Sequence, residues 1–209
     1  MDKLLIIGGG DLAKQICHHL SSDSKVNIIG FVDDTVRIGD KRFGQKCLGK
    51  LKDIPDLFEN KAFDKLVCGI GYKHLDFRKK LFEKLSDFLF YSFVDNHSII
   101  DKSVKLGKGI FISPGVVLEQ NVCIGDNVFI YNSVSISHDS KIGANSFLAP
   151  CVAIAGFVKI GENCNIGINS TIINNLEIVD NVQTGGGTVV IENISLPGLY
   201  VGNPARFLR

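Results

Sequence analysis

A six-residue clock runs unbroken through the second half of this chain. Stepping by six from Val94 gives Ile100, Leu106, Ile112, Leu118, Ile124, Ile130, Ile136, Ile142, Leu148, Ile154, Ile160, Ile166, Ile172, Ile178, Thr184 and Val190; only Thr184 is not Ile, Leu or Val. The residue after the aliphatic is often glycine (Gly107, Gly125, Gly143, Gly161, Gly167, Gly185). The residue four after it is small or β-branched, as at Val116, Val122, Val134, Ser140, Ser146 and Val152. A helix would repeat at about 3.6 residues and an alternating strand at two. A hundred residues locked to period six instead describe short strands with a turn between each pair.

Three such strands close a coil of eighteen residues (3 × 6), so side chains at i and i+18 stack about 4.8 Å apart on neighbouring coils. The aliphatic points inward and the small residue fills the tight space left. One coil cannot cover its own apolar face, so stability comes from stacking. Each buried Ile contributes about 1.5–3 kcal/mol, against a backbone ordering cost of about 1–2 kcal/mol per residue. The expectation is a parallel β-helix of about five and a half coils over residues 94–194. Period alone does not set its hand, and ordinary crossover rules favour the right.

The first half has a different grammar. Residues 3–7 form a buried strand, followed by Gly8, Gly9 and Gly10 and a helical run over residues 11–20. Strands follow at 26–32, ending in Asp33 and Asp34, and at 65–70, ending at Gly71; residues 76–85 form a helix, and 35–53 read as a surface connection. This is the start of a Rossmann-like sheet. Gly8-x-Gly10-x-x-Ala13 matches a loosened nucleotide fingerprint with an acid about twenty residues on. The helix N-terminus favours phosphate, although the same turn also serves as a plain strand-to-helix connection with Asp11 as its cap. Three or four strands make half of a dinucleotide domain, which favours a mononucleotide or a nucleotide-sugar over NAD. The expected division is a Rossmann-like nucleotide-sugar-binding half-domain over 1–93 and a β-helix domain with a short extension over 94–209.

Composition narrows the partners. A net charge of +1 without a basic stripe argues against nucleic acid, and no apolar stretch reaches the ~18–20 residues that span a bilayer. The six cysteines lack CxxC pairing and metal spacing, so they are expected to be reduced core thiols. With no signal-peptide pattern at the start, the expected location is cytoplasmic.

Among the histidines, 18, 19 and 74 fall in or near helices and His97 in the first turn of the repeat, positions that suit surface or packing roles. His138 sits at a coil corner with Asp139 next to it, and Gly156 is eighteen residues on. A carboxylate beside an imidazole favours one tautomer and stabilises the imidazolium. An unhindered glycine N–H on the next coil could polarise an acyl carbonyl. The alternative is a polar corner residue. Zinc binding of the three-histidine kind lacks its ligands, since the β-helix offers only His97 and His138.

The motifs together resemble those of the bacterial sugar O- and N-acyltransferases of the sialic-acid O-acetyltransferase type, nearest to the nucleotide-linked 4-amino-sugar N-acetyltransferases. The resemblance rests on Ile7-Gly8-Gly9-Gly10 with Ala13-Lys14, Gly30-Phe31-Val32-Asp33-Asp34, Gly69-Ile70-Gly71 and Ile136-Ser137-His138-Asp139. Val158-Lys159-Ile160-Gly161, Ile166-Gly167-Ile168-Asn169-Ser170 and Val201-Gly202-Asn203-Pro204-Ala205-Arg206 complete it. It implies a left-handed β-helix, a homotrimer, acetyl-CoA as co-substrate without a metal, and a nucleotide-linked amino sugar as acceptor. His138 would be the general base, made more basic by Asp139. Gly156 would donate to the thioester oxygen, and Ile168 would line the acetyl-CoA cleft between subunits. Gly10, Asp11, Leu12, Asp33, Asp34 and Gly71 would hold the nucleotide-sugar.

Two positions depart from the pattern. Asp11-Leu12 replaces the family's Gly-His pair, and Phe147 stands where a histidine often lies near the CoA thioester. The implied reaction is direct transfer from acetyl-CoA to the 4-amino group of a nucleotide-linked dideoxy sugar, as in surface polysaccharide or glycoprotein biosynthesis. Sugar O-acetylation and non-catalytic nucleotide-sugar binding are the alternatives.

Overall fold

The computed structural model describes residues 1–21 and 23–209. They form two compact units, Met1–Ser92 and Phe93–Arg209.

In the first unit, β1 (Asp2–Ile7), α1 (Asp11–Leu20), β2 (Val26–Val32), β3 (Lys41–Arg42), β4 (Gln45–Gly49), α2 (Ile54–Glu59), β5 (Lys65–Cys68) and α3 (Leu75–Lys84) follow in order. The sheet order is β3-β4-β2-β1-β5, with β1 parallel to both β2 and β5. Leu5, Ile7, Val32, Ile54, Phe63 and Leu66 pack one side of it. Leu4, Leu5, Ile6 and Ile7 are all fully buried, as a central parallel strand requires.

One expectation is corrected here. Residues 35–53 are not simply a surface connection: β3 and β4 form an antiparallel hairpin, and β4 joins β2 in parallel. Cys47 is fully buried while Lys46 stays exposed, so β4, which lies between β3 and β2, has one covered face. Its many polar residues hide that alternation in the sequence.

The second unit is a parallel β-helix of two-residue strands stacked in three sheets. Ile130 pairs with Leu148, Ile136 with Ile154 and Ile142 with Ile160, each eighteen residues on. The aliphatics and the small residues four after them fill the interior. Where that small residue is serine, its hydroxyl is satisfied between coils. Ser140 Oγ donates to the Ala155 carbonyl at 2.9 Å and accepts from the Val158 N–H at 3.0 Å. Such bridging matters because an unpaired buried hydroxyl is costly.

The corners share one backbone device. Residues 121, 127, 133, 139, 145, 151, 157, 163, 169, 175 and 181 all have φ between 55° and 61°, with glycines at 109, 115 and 187 continuing the series. Seven of the eleven non-glycine corners are asparagine, a residue that tolerates the left-handed region. Asparagines also stack from coil to coil, Asn127 Nδ2 donating to Asn145 Oδ1 at 2.7 Å.

On one outer face an aromatic ladder rises at the same interval. Phe93, Phe111, Phe129 and Phe147 have successive ring centroids 4.7, 4.7 and 5.2 Å apart, and all four are buried.

Candidate active site

The corner after the strand Ser135–Ile136 carries Ser137, His138, Asp139 and Ser140. Asp139 takes the left-handed backbone, φ 61°, which swings its carboxylate back to its neighbour. Asp139 Oδ2 lies 3.0 Å from His138 Nδ1, and Oδ1 accepts from Asn121 Nδ2 at 3.0 Å. The bond to His138, then that to Asn121, holds the Asp139 carboxyl below its ordinary value. With Nδ1–H donating to the carboxylate, the lone pair of the imidazole resides on Nε2.

Gly156 lies against the other edge of that ring. A Cβ built on it would stand 2.8 Å from His138 Cε1 and 2.9 Å from Nε2, so a side chain there and the imidazole cannot share the space. The Gly156 N–H donates to no group among the described residues. A free amide beside a neutral imidazole nitrogen can stabilise a developing oxyanion while the imidazole takes a proton.

Three neighbours of this site were not found from sequence. Glu119 Oε2 accepts the His138 backbone N–H at 3.1 Å. Asn121, eighteen residues before Asp139, braces the carboxylate, and the interval of the repeat itself could have found it. Phe157, eighteen residues after Asp139, meets His138 at right angles with ring centroids 5.1 Å apart. By contrast, His97 is 78% exposed and its Nδ1 is tied to Asp95 two residues before it, within its own turn.

Ile168 is 55% exposed and stands on a different edge of the prism. The column of corners through His138 and Gly156 continues to Asn174, whereas Ile168 stacks between Pro150 and Gly186, as the backbone bonds between coils require. Phe147 is only 2% exposed. It stacks on Phe129 and meets Tyr131 edge-on at 5.3 Å, so its ring is spent on packing and presents almost no surface.

In the first unit, the residues expected around a nucleotide gather at the carboxyl ends of β1, β2 and β5. Gly10, not Asp11, is the N-cap of α1, and Asp11 is the acid of its first turn. Leu12 is 7% exposed, so its contribution to a ligand is its backbone N–H, one of the unpaired donors of a helix start. A Cβ on Gly71 would meet only Leu12, at 3.9 Å. Asp33 Oδ2 accepts from Gly9 N–H at 2.7 Å and Oδ1 from Thr35 N–H and Oγ1. Partial burial works against its ionisation, but the bonds from Thr35 and Gly9 outweigh it and hold the carboxyl low. Asp34 points elsewhere, accepting from Leu51 N–H at 2.9 Å. Arg42, on the hairpin taken from sequence as a connection, donates to the Gly9 carbonyl at 3.0 Å. That places an exposed cation beside the glycine turn.

Among the described residues no group of three or more His, Cys, Asp or Glu could hold a metal ion, and no helix is long and apolar enough to cross a membrane.

The PglD N-terminal domain profile matches residues 3–85, and the bacterial transferase hexapeptide profile matches residues 121–156. No curated protein matches the chain. Among solved structures, a histidine variant of GDP-perosamine N-acetyl transferase from Caulobacter crescentus, in complex with CoA and GDP-perosamine, is 28% identical. The match covers 100% of this chain and 98% of that one, with a TM-score of 0.91. PerB from the same organism, with the same ligands, is 27% identical over 100% and 98%, TM-score 0.88. The acetyltransferase domain of PglB from Neisseria gonorrhoeae, 20% identical over the whole of both chains with a TM-score of 0.84, shares the fold. The chain thus joins a part matching the PglD N-terminal domain to a left-handed β-helix of hexapeptide repeats, the architecture of these solved acetyltransferases.

Proposed function

We propose that this protein transfers the acetyl group of acetyl-CoA to the amino group of a nucleotide-linked 4-amino-dideoxy sugar. The observation that carries this is the His138–Asp139 pair set against Gly156, in a chain that matches along its full length an enzyme crystallised with CoA and GDP-perosamine. The neutral amine nitrogen attacks the thioester carbonyl carbon. As the C–N bond forms, the carbonyl oxygen gathers negative charge next to the Gly156 N–H, and His138 Nε2 takes the proton from nitrogen. Asp139 stabilises the resulting imidazolium. Collapse of the tetrahedral species breaks the C–S bond, and the proton passes from His138 to the departing CoA thiolate.

In the first unit, the nucleotide phosphates find unpaired N–H groups at the start of α1, with Arg42 as a cation beside the Gly9 carbonyl. Asp33 keeps the glycine turn closed behind them. A cleft using both His138 and Ile168 draws on two different edges of the prism, which one copy cannot bring together. A homotrimer, with neighbouring subunits facing each other across that cleft, meets the requirement. Acetyl-CoA as co-substrate fits a cytoplasmic protein acting in surface polysaccharide or glycoprotein biosynthesis.

The test is a CoA-release assay with acetyl-CoA and a panel of GDP-, UDP- and dTDP-linked 4-amino sugars, alongside hydroxyl acceptors such as free sialic acid, with light scattering for oligomeric state. Turnover with an amino sugar supports the proposal. Turnover with hydroxyl acceptors alone identifies an O-acetyltransferase, and nucleotide binding without CoA release identifies a binding protein; either outcome overturns it.

A further inference from the structure

We infer that Phe157 is a positioning residue for His138: a strained backbone holds its ring against the imidazole and fixes the orientation in which Nε2 meets the acyl-transfer site. This rests on His138 being the general base.

The first observation is conformational. Phe157 has φ 58° at a corner position that the chain fills elsewhere with asparagine, glycine, aspartate, serine and one cysteine. A bulky side chain in the left-handed region is an outlier, and such strain persists where the surroundings over-determine it, often at active sites. Burial does not account for it, since the residue is 52% exposed. An asparagine would suit the turn better and would give up little apolar contact with the core.

The second observation is contact. The Phe157 N–H donates to the His138 carbonyl at 3.1 Å, so the corner bearing the ring is tied to the residue it touches. By register Phe157 stands over Asp139, yet its ring leans onto His138 with the planes at 88°. The imidazole is thereby bounded on three sides: Asp139 at Nδ1, bare Gly156 next to Cε1 and Nε2, and Phe157 on its flank. Asp139 alone fixes one atom of the ring and leaves it free to rock about that bond; the phenyl removes this freedom.

Three substitutions separate strain from contact. Phe157→Asn relieves the backbone and removes the ring. It should raise Tm by about 2–4 °C while kcat falls about tenfold, with KM for acetyl-CoA changed less than about twofold. Phe157→Leu keeps the strain without the ring, so kcat should fall without the gain in Tm. Phe157→Tyr keeps both and should restore kcat. A Phe157→Asn enzyme with wild-type kcat, or a series in which kcat simply follows Tm, overturns the inference. His138→Ala is assayed beside them. If it stays active, the general-base assignment fails and this inference with it; if it is inactive while Phe157→Asn turns over normally, only the role of Phe157 is lost.

Discussion

The imidazole of His138 occupies the volume that a side chain on Gly156 would need, with Cε1 2.8 Å from the position of that missing Cβ. The two residues are neighbours only because one coil takes eighteen residues. The same absence of a Cβ leaves an open amide beside the ring.

Gly156→Ala tests this packing. The backbone there lies outside the left-handed region, so alanine fits the turn and only the imidazole must move. The expectation is a Tm within about 2 °C of wild type and kcat at least about tenfold lower, read from CoA release beside a thermal melt.

His138→Ala should lower kcat by about 10²–10⁴, the range a general base supplies. The His138 side chain is 42% exposed and outside the interior, so the fold and the affinity for nucleotide should survive. Calorimetric titration with nucleotide and circular dichroism check both.

Asp139→Asn keeps a residue that the corner favours but removes the charge beside His138. The folded-state pKa of Asp139 is depressed, chiefly by His138 and then Asn121. Its stabilising contribution is therefore complete above the ordinary carboxylate range and is lost as pH falls through the depressed value. The Tm difference between wild type and variant should be greatest above the ordinary carboxylate range and should close as pH falls through the depressed value. At neutral pH kcat should fall about 10-fold or more as the imidazolium loses its partner.

Asp33→Ala should loosen the glycine turn by removing the acceptor of the Gly9 N–H. The expected result is nucleotide affinity weakened about tenfold, close to 1.4 kcal/mol, with kcat at saturating sugar nucleotide little changed. Titration with GDP, UDP and dTDP reads the first, steady-state kinetics the second.

Phe129→Ala removes a middle rung of the aromatic ladder. The residue is 1% exposed and stacked on both sides, so the cavity should cost about 3–5 kcal/mol, measured by denaturant unfolding. Because Phe129 lies in a different sheet from the strand that leads into the 137–140 corner, and its ring packs on Phe111, Tyr131 and Phe147, kcat under conditions where the protein stays folded should hold near wild type.

The β-helix was legible because stacking repeats one local environment at a fixed interval: Ile136, Ile154 and Ile172 answer the same question on successive coils. The same interval placed Gly156 over His138. The left-handed corners were also written in the chain, as asparagines at 121, 127, 145, 163, 169, 175 and 181. Strand β4 was hidden because it is only five residues long with one covered face, and Cys47 between Lys46 and Leu48 carries too little periodicity. Arg42 was hidden for a related reason: its partner is a backbone carbonyl thirty-three residues away, and no side-chain pattern encodes that.

What the sequence determined by itself was the prism, its interval of eighteen, and the placing of Gly156 over His138. Those follow from periodicity, which is a one-dimensional property. Tertiary structure decided the rest: that Asp139 hydrogen-bonds His138, that the Phe147 ring is buried within a ladder, and that the Phe157 ring leans onto His138. Each of these depends on the direction in which a side chain leaves the backbone, and that direction is set by backbone torsion and the neighbouring coil, not by the identity of the residue.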